Sequence, residues 1–282
     1  MMLSCLVAGA YGRSGHATVT AIAESHLTDK AKAMIAEYFH GEPITMHATW
    51  ADDFMSENIC DFEKEAGVPG LKVAPGQYPH CYYIGADMKA LRGGQTAHYH
   101  SDAVYYANKI AHDLKKDGAT MPDDIRWKRL AYLIHIIGDI HNVGHARYLG
   151  HADNPKYKYA GYNVIYNGTK VKLHKLLDHE FFETFYPFGP YENAKILDTC
   201  TPEEIAKISQ GDVYDWATEV ADMSHHIIDT LEPYDFVKDT RFKADAPDEK
   251  VKMHACDERK LIATLIRNAG YRLAAVLNWI AE

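Results

Sequence analysis

The sequence predicts a mostly α-helical protein that forms a single domain, and three observations favour this class. Segments that begin with a helix-capping residue and continue with apolar residues at helical spacing recur along the chain. Strand signals are weak, and no repeat, low-complexity tract or linker divides the 282 residues. A chain of this length can bury one large core. We therefore expect an all-α domain with long loops and at most one short β-hairpin.

The first predicted helices are identified by their capping residues and by their apolar faces. Segment 28–39 opens on Thr28, and segment 101–116 opens on Ser101 and ends before an Asp-Gly pair. Both hydroxyl residues are expected as N-caps. Segment 125–141 is apolar almost all round, which is typical of a buried helix.

The C-terminal third predicts two further helices. Thr201 and Glu204 form a capping box around a proline at the first helical position. The last helix carries an apolar stripe at spacings of three and four, which consists of Leu261, Leu265, Ala269, Leu273, Leu277 and Ile280. The candidate hairpin lies at 162–173, around the Asn-Gly pair 167–168.

Composition and charge limit the kinds of partner that the protein can have. The formal net charge is −9, which by itself argues against binding duplex nucleic acid through a basic face. Several bound divalent cations would cancel much of that charge. No apolar run reaches the ~18 residues that a membrane span needs. The 17 histidines are a high number, but composition alone does not locate a site.

The first ten residues, MMLSCLVAGA, resemble the end of a signal peptide, because Ala8-Gly9-Ala10 fits a small-x-small cleavage site. An ordinary buried N-terminus is the alternative. We expect 1–10 to be the remnant of a signal and 11–282 to be one secreted or periplasmic domain. Export would permit disulfides, and three pairings are open among Cys60, Cys81, Cys200 and Cys256.

The segment HIIGDIHNVGHARYLGH, residues 135–151, carries the strongest chemical signal. His135 and Asp139 stand at i and i+4, so both lie on one helix face and can chelate one ion. His174 and Asp178 repeat that pairing on a second predicted helix. In an unbroken helix His145 would lie about 240° away from the Asp139 face, and Gly144 is the expected break.

Each of these histidines could simply be a satisfied core or surface residue. Two His/Asp pairs together with His145 argue against that alternative, because a buried carboxylate without a partner costs several kcal/mol. Metal ions would supply the partner, and two such pairs on two helices suit a multinuclear site in a helical bundle. An earlier cluster, none of it specific alone, adds Tyr11, His16, Trp50, Asp52 and His80.

In this order the motifs resemble the zinc-dependent single-strand-specific nucleases, the family of mung-bean-type nuclease and 3′-nucleotidases. The family pattern is aromatic-Gly-x-x-Gly-His, then Trp-Ala-Asp, then His, then His-x3-Asp-x5-His, then His-x3-Asp. Here it begins at Tyr11, ends at Asp178 and is followed by similar closing helices. The resemblance covers residues 11 to about 280.

The resemblance implies an α-helical fold, like that of zinc phospholipase C, with three zinc ions per chain. One zinc would bind Asp52, His80, His135 and Asp139. A second zinc, paired with the first, would share Asp139 and take His16 together with the amino and carbonyl groups of a mature first residue, Tyr11. The third zinc would take His145, His174 and Asp178. His98 and His100 are rivals of His80.

The resemblance also implies the reaction, in which Asp52 and Asp139 are the catalytic carboxylates. A hydroxide bridging the paired zincs would attack phosphorus in single-stranded DNA or RNA and leave 5′-phosphate products. The same attack on a 3′-nucleotide would release phosphate. Unpaired bases would stack on aromatic side chains, for which Tyr82, Tyr83 or Tyr148 are candidates, with Asn163 as a further substrate contact. The resemblance implies a monomer without a stable protein partner or a membrane span.

Several positions depart from the family pattern. The arginine that usually follows Trp-Ala-Asp is Met55 here, so Arg92, Arg147 or the zincs alone would neutralise the phosphate. The family's HQPLH is HNVGH in this chain, at 141–145. The alternatives are therefore a zinc phospholipase C, or a zinc-stabilised scaffold with reduced catalysis. Histidines 47, 141, 151 and 179, together with Asp53, are expected to lie beside the ligands or on the surface.

Overall fold

The computed structural model describes residues 12–53, 80–92, 102–149, 163–166, 169–172, 175–230 and 248–282. At residues 53, 163–166, 169–172, 226–230 and 248–258 the description covers the backbone only. None of the helices in these ranges is long and apolar enough to cross a membrane.

The fold is all-α, as predicted. The helices are α1 (Gly12–Ser25), α2 (Asp29–Tyr38), the short α3 (Trp50–Asp53), α4 (Ala103–Asp117), α5 (Asp123–Ile140), α6 (Phe181–Phe185), α7 (Pro190–Leu197), α8 (Pro202–Ile208), α9 (Val213–Thr230) and α10 (Asp248–Ala281). Short 3-10 turns occupy Ile44–His47, Gly118–Thr120 and Val143–His145, and a π-helical turn, Leu176–Glu180, leads into α6.

Two small strand pairs accompany the helices. Strands β1 (Tyr82–Ile84) and β2 (Ala146–Tyr148) are parallel, with Tyr82 opposite Ala146. Strands β3 (Asn163–Tyr166) and β4 (Thr169–Lys172) are antiparallel, with Tyr166 opposite Thr169. The predicted β-hairpin is therefore confirmed. The parallel pair was not predicted, because each strand has only three residues.

The core forms where α1 packs against α10 and α7, and where α4 packs against α5. A side chain at Gly270 of α10 would lie 2.5 Å from Ile22 of α1. Only a glycine therefore lets these two helices approach so closely. Most of the predicted stripe on α10 is buried in this core, and Leu261 is partly buried.

The helix caps explain where several elements begin. The Thr28 side chain accepts a hydrogen bond from the Ala31 amide at 3.2 Å, and the capping box of Thr201 and Glu204 is complete, so both predictions are confirmed. The prediction of Ser101 as a cap is wrong. Asp102 caps α4 instead, because its carboxylate accepts from the Tyr105 amide at 2.8 Å and also from the amide of Tyr83 on β1.

Candidate metal centre

Three buried side chains from α1 and α5 meet in one cluster. His16, His135 and Asp139 each offer a ligating atom, and these atoms all lie within 4.8 Å of one another. The His16 and His135 rings stack with their centroids 4.1 Å apart. None of the three side chains is more than 1 % exposed. The cluster is therefore part of the packed core and is shielded from bulk water.

Gly138 lets His16 reach this position. An added Cβ at Gly138 would lie 2.6 Å from Nδ1 of His16, so α1 can bring its histidine against α5 only where α5 lacks a side chain. Spacing in the sequence does not predict a role for Gly138. The available signal was a glycine inside a long apolar helix, which often marks close packing.

His135 is held in one tautomer by the chain before α3. Its Nδ1 lies 2.9 Å from the carbonyl oxygen of Ala48 and donates to it, which leaves the lone pair on Nε2. This Nε2 lies 3.4 Å from Oδ2 of Asp139 and 3.5 Å from Oδ1 of Asp52 on α3. The structure therefore brings together four of the predicted ligands, namely His16, Asp52, His135 and Asp139.

A second pocket lies beside the first. Nε2 of His145 is 3.4 Å from Oδ1 of Asp178, and Nδ1 of His145 donates to the carbonyl oxygen of His80 at 2.6 Å. The same Nδ1 is 3.8 Å from Oδ2 of Asp139. The His80 ring is half-buried, and its centroid is 5.1 Å from that of His145. Asp139 thus lies between the two pockets.

The path of the chain from one pocket to the other differs from the prediction. Gly144 was expected to break the helix, but α5 already ends at Ile140. The Asn142 backbone is extended (φ −95, ψ 120), and its side chain accepts from the Gly144 amide at 2.8 Å to begin the 3-10 turn. The break is therefore made by an asparagine turn, which redirects His145.

Asp178 also lies on an unexpected element. It belongs to the π-helical turn Leu176–Glu180, whereas the i, i+4 spacing predicted an ordinary helix. π-turns are rare and often occur at functional sites. Its predicted partner, His174, lies outside the described residues, as do Tyr11, His98, His100, His151 and Met55.

The spacing and burial of these atoms fit zinc. Two ligands about 2.1 Å from a tetrahedral zinc are roughly 3.4 Å apart, and the pairs described above are separated by 3.3–3.5 Å between Nε2 and carboxylate oxygen. Both Asp139 oxygens are buried and accept no hydrogen bond from the described residues. A neutral imidazole and carboxylate set without cysteine also suits a catalytic zinc.

Without a metal, charge in the cluster has to be balanced by protons. Burial alone lowers the pKa of His135, but the carboxylates of Asp139 and Asp52 outweigh it and raise that pKa to about 10. For Asp139 the order is reversed: burial would raise its pKa, and the cationic His135 and His145 hold it well below its usual range. Asp139 is therefore an anion that needs a cation beside it.

The predicted substrate contacts have different environments. Tyr82 is fully buried in the apolar core and offers no surface on which a base could stack, while its neighbour Tyr83 is half-buried. Tyr148 is also buried, and its hydroxyl donates to the Ala221 carbonyl at 2.6 Å. The backbone of Asn163 begins β3, and its side chain lies outside the description.

The histidines expected beside the ligands are mostly structural. His141 is fully buried, donates from Nδ1 to the Ile137 carbonyl and accepts from Arg272. Burial and the Arg272 charge lower the pKa of His141 to about 3, so it stays neutral. His47 is buried and stacks on Phe39, and the partly exposed His179 packs against Gly12.

Two polar residues that the sequence motifs do not indicate, Asn142 and Arg272, contact Asp178 and His141. Arg272 of α10 donates to His141 and Glu219 and, at 3.0 Å, to the Ile208 carbonyl. No local spacing could have indicated it, since its partners lie on other elements. Of the four cysteines for which disulfides were left open, Cys81 and Cys200 are free thiols among the described residues, and neither Cys60 nor the Cys256 side chain is described.

Comparison with known families gives one match over nearly the whole chain. The family model described as S1/P1 Nuclease matches residues 11–282. No curated protein sequence matches the chain.

Proposed function

Because the chain belongs to the S1/P1 nuclease family and is thus a hydrolase of phosphodiester bonds in nucleic acids, we propose that it is a zinc-dependent enzyme specific for single strands. In this proposal it cleaves single-stranded DNA and RNA to products with 5′-phosphates, and it hydrolyses 3′-nucleotides to a nucleoside and phosphate. It acts as an exported monomer that begins at Tyr11 and holds three zinc ions. The observation that carries the proposal is the buried Asp139 carboxylate, whose oxygens face Nε2 of His16 at 3.3 Å and Nε2 of His135 at 3.4 Å, the spacing of two ligands on one zinc.

We assign the paired zincs to His16, Asp52, His80, His135, Asp139 and the Tyr11 backbone, and the third zinc to His145, His174 and Asp178. Zinc at these positions would lower the pKa of water toward neutrality and stabilise charge on the phosphate oxygens. The chain's part is to keep each imidazole neutral and aimed inward. The Ala48 and His80 carbonyls do this by accepting the Nδ1 protons of His135 and His145.

The carboxylates differ in their access to solvent. Asp52 is 8 % exposed, while Asp139 and Asp178 are at most 1 % exposed. Asp52 is therefore the carboxylate that an entering water or phosphate contacts first. We assign to Asp52 the role of accepting a proton from the attacking water. Asp139 stays buried between the pockets and keeps its negative charge there.

Arg147 supports charge neutralisation near the phosphate. Its Nη1 donates to the Gly144 and Ala146 carbonyls at 2.7 and 3.1 Å, so the guanidinium is held against the turn that carries His145. The other candidate, Arg92, is engaged with Asp212 at 2.9 Å and lies over the Tyr214 ring. We therefore assign the role of the family's arginine to Arg147.

The test measures release of acid-soluble nucleotides from single-stranded DNA and RNA, with the matching duplex as comparison, and zinc per chain. We expect release from single strands, loss on chelation, recovery with zinc, and three zincs that become two in His145→Ala or Asp178→Ala. Hydrolysis of phosphatidylcholine instead would indicate a phospholipase C. Three zincs without any hydrolysis would indicate a scaffold, and one zinc or none would refute the proposed site.

A further inference from the structure

We propose that Asn142 is a positioning residue for the third zinc, which fixes the distance between His145 and Asp178. The inference rests on the proposed zinc nuclease function. It goes beyond that function because Asn142 matches no ligand position and was not singled out by its spacing. Its side chain is fully buried between α5 and the π-helical turn.

The backbone of Asn142 is joined to a ligand on each side. Its N–H donates to the carbonyl of Asp139 at 3.0 Å, and its own carbonyl accepts from the amide of His145 at 3.0 Å. The residue therefore sits between the ligand shared with the paired zincs and a ligand of the third zinc.

The side chain then reaches a second ligand of the third zinc, Asp178. Oδ1 of Asn142 accepts a hydrogen bond from the backbone N–H of Gly144 at 2.8 Å. Because only the oxygen can accept, this contact fixes the orientation of the Asn142 side-chain amide. Nδ2 consequently points the other way and donates to Oδ1 of Asp178. One side chain thus ties the turn carrying His145 to the π-helical turn carrying Asp178, 36 residues further along.

Burial makes this contact hard to replace. Asn142 is fully buried and Asp178 is 1 % exposed, so bulk water does not reach the space that a shorter side chain would leave. The Asp178 carboxylate would then lose the N–H that orients it toward Nε2 of His145, 3.4 Å away. Removing such an outer-shell partner commonly costs about 10- to 100-fold in metal affinity.

The test compares Asn142→Ser and Asn142→Ala with the wild type. A serine hydroxyl can still accept from the Gly144 amide, but it is too short to donate to Asp178. Asn193→Ser is the matched control, because Asn193 is an equally buried asparagine whose Nδ2 donates to the Tyr186 and Phe188 carbonyls away from the site. Each protein is dialysed against graded concentrations of buffered free zinc, and bound zinc is counted.

We expect both Asn142 variants to bind one of the three zincs about 10- to 100-fold more weakly and the other two with unchanged affinity. A general loss of folding would release all three, so the selective loss distinguishes positioning from stability. Asn193→Ser should unfold more readily yet hold three zincs. Unchanged affinity for all three zincs in Asn142→Ser would overturn the inference alone, whereas a wild type with fewer than three zincs would overturn the proposed function with it.

Discussion

At the scale of single residues, the candidate site depends on what surrounds one carboxylate. Asp139 is fully buried, its oxygens accept no hydrogen bond from the described residues, and Nε2 atoms of His16 and His135 face it at 3.3 and 3.4 Å. An unpaired buried charge costs several kcal/mol. Either protonated histidines or bound cations must therefore balance Asp139, and the paired zincs of the proposed function would supply that charge.

Gly138→Ala is expected to disrupt the site without weakening the helix. Alanine favours an α-helix over glycine by about 1 kcal/mol, but the new Cβ would lie 2.6 Å from Nδ1 of His16 and push the ring away. A displacement near 1 Å can cost on the order of 100-fold in rate. We expect fewer zincs per chain and a comparable loss of nuclease activity, measured on variant and wild type in parallel.

Gly41→Ala is the control for this substitution. Nothing lies within 4 Å of an added Cβ at Gly41, but its φ of +84 is unfavourable for alanine. This variant should lose about 1–2 kcal/mol of stability and keep its zinc. A Gly138→Ala protein with full zinc and full activity would show that His16 can shift without consequence.

Sequence spacing predicted residues whose relation is local. His135 and Asp139 share a face because helix geometry puts i and i+4 together, and the structure places them as expected, 3.4 Å apart between Nε2 and Oδ2. Gly138 and Asn142 could not be predicted in this way. Their roles depend on contacts with His16 and Asp178, and these contacts exist only after distant elements have packed.

At the scale of elements, Asp102 joins β1 to the start of α4, because its carboxylate accepts from the amides of Tyr83 and Tyr105. Burial raises the pKa of Asp102 to about 7, and the amide donors only partly oppose this rise. The unfolded chain ionises Asp102 near pH 4, so between pH 4 and 7 the folded state binds more protons. Stability therefore falls as pH rises through this window and levels off above it.

Asp102→Asn is expected to remove this pH dependence while keeping the cap, since asparagine caps helices as well as aspartate does. One pKa unit corresponds to about 1.4 kcal/mol, so the full difference is roughly 4 kcal/mol. Urea unfolding of both proteins at pH 4, 5.5, 7 and 8 gives the difference in free energy of unfolding. As pH rises from 4 to 7, we expect the free energy of unfolding of the wild type to fall relative to that of the variant. A difference between the two proteins that does not change with pH would contradict the raised pKa of Asp102.

The contacts between elements also explain why the end of α5 differs from the sequence prediction. Apolar periodicity extended α5 to residue 141, and Gly144 was the most obvious breaker in the segment. The helix ends at Ile140 because His141 and Asn142 find partners elsewhere, in Arg272 of α10 and in the Gly144 amide. A capping side chain competes with the helix backbone, and periodicity does not detect that competition.

At the scale of the whole molecule, the N-terminal end of α1 packs against the π-helical turn, while the same helix carries His16 into the buried cluster with His135 and Asp139. Gly12, the first residue of α1, has a φ of +55, and an added Cβ would lie 2.5 Å from His179, the neighbour of Asp178. Tyr11 precedes it directly. A free amine there, with a pKa near ~8, can give up its proton to zinc, whereas an internal peptide nitrogen cannot.

We therefore predict that the active protein begins at Tyr11. Intact mass of the exported protein should correspond to residues 11–282. A version that keeps residues 1–10 should hold one zinc less tightly than the processed protein, as counted by dialysis against buffered zinc. A fully active protein that still starts at Met1 would refute this prediction.

In the proposed function, zinc should also affect the stability of the whole fold, because its proposed ligands come from α1, α3, α5 and the π-helical turn. A ligand that binds only the folded state adds about 1.4 kcal/mol for each tenfold excess over its Kd. We expect chelation to lower the unfolding temperature and graded zinc to restore it. Asp139→Asn supplies the control, since the neutral amide removes the buried charge. Adding zinc to the metal-free variant should raise its unfolding temperature less than it raises that of the wild type. An equal rise would show that Asp139 does not hold the metal.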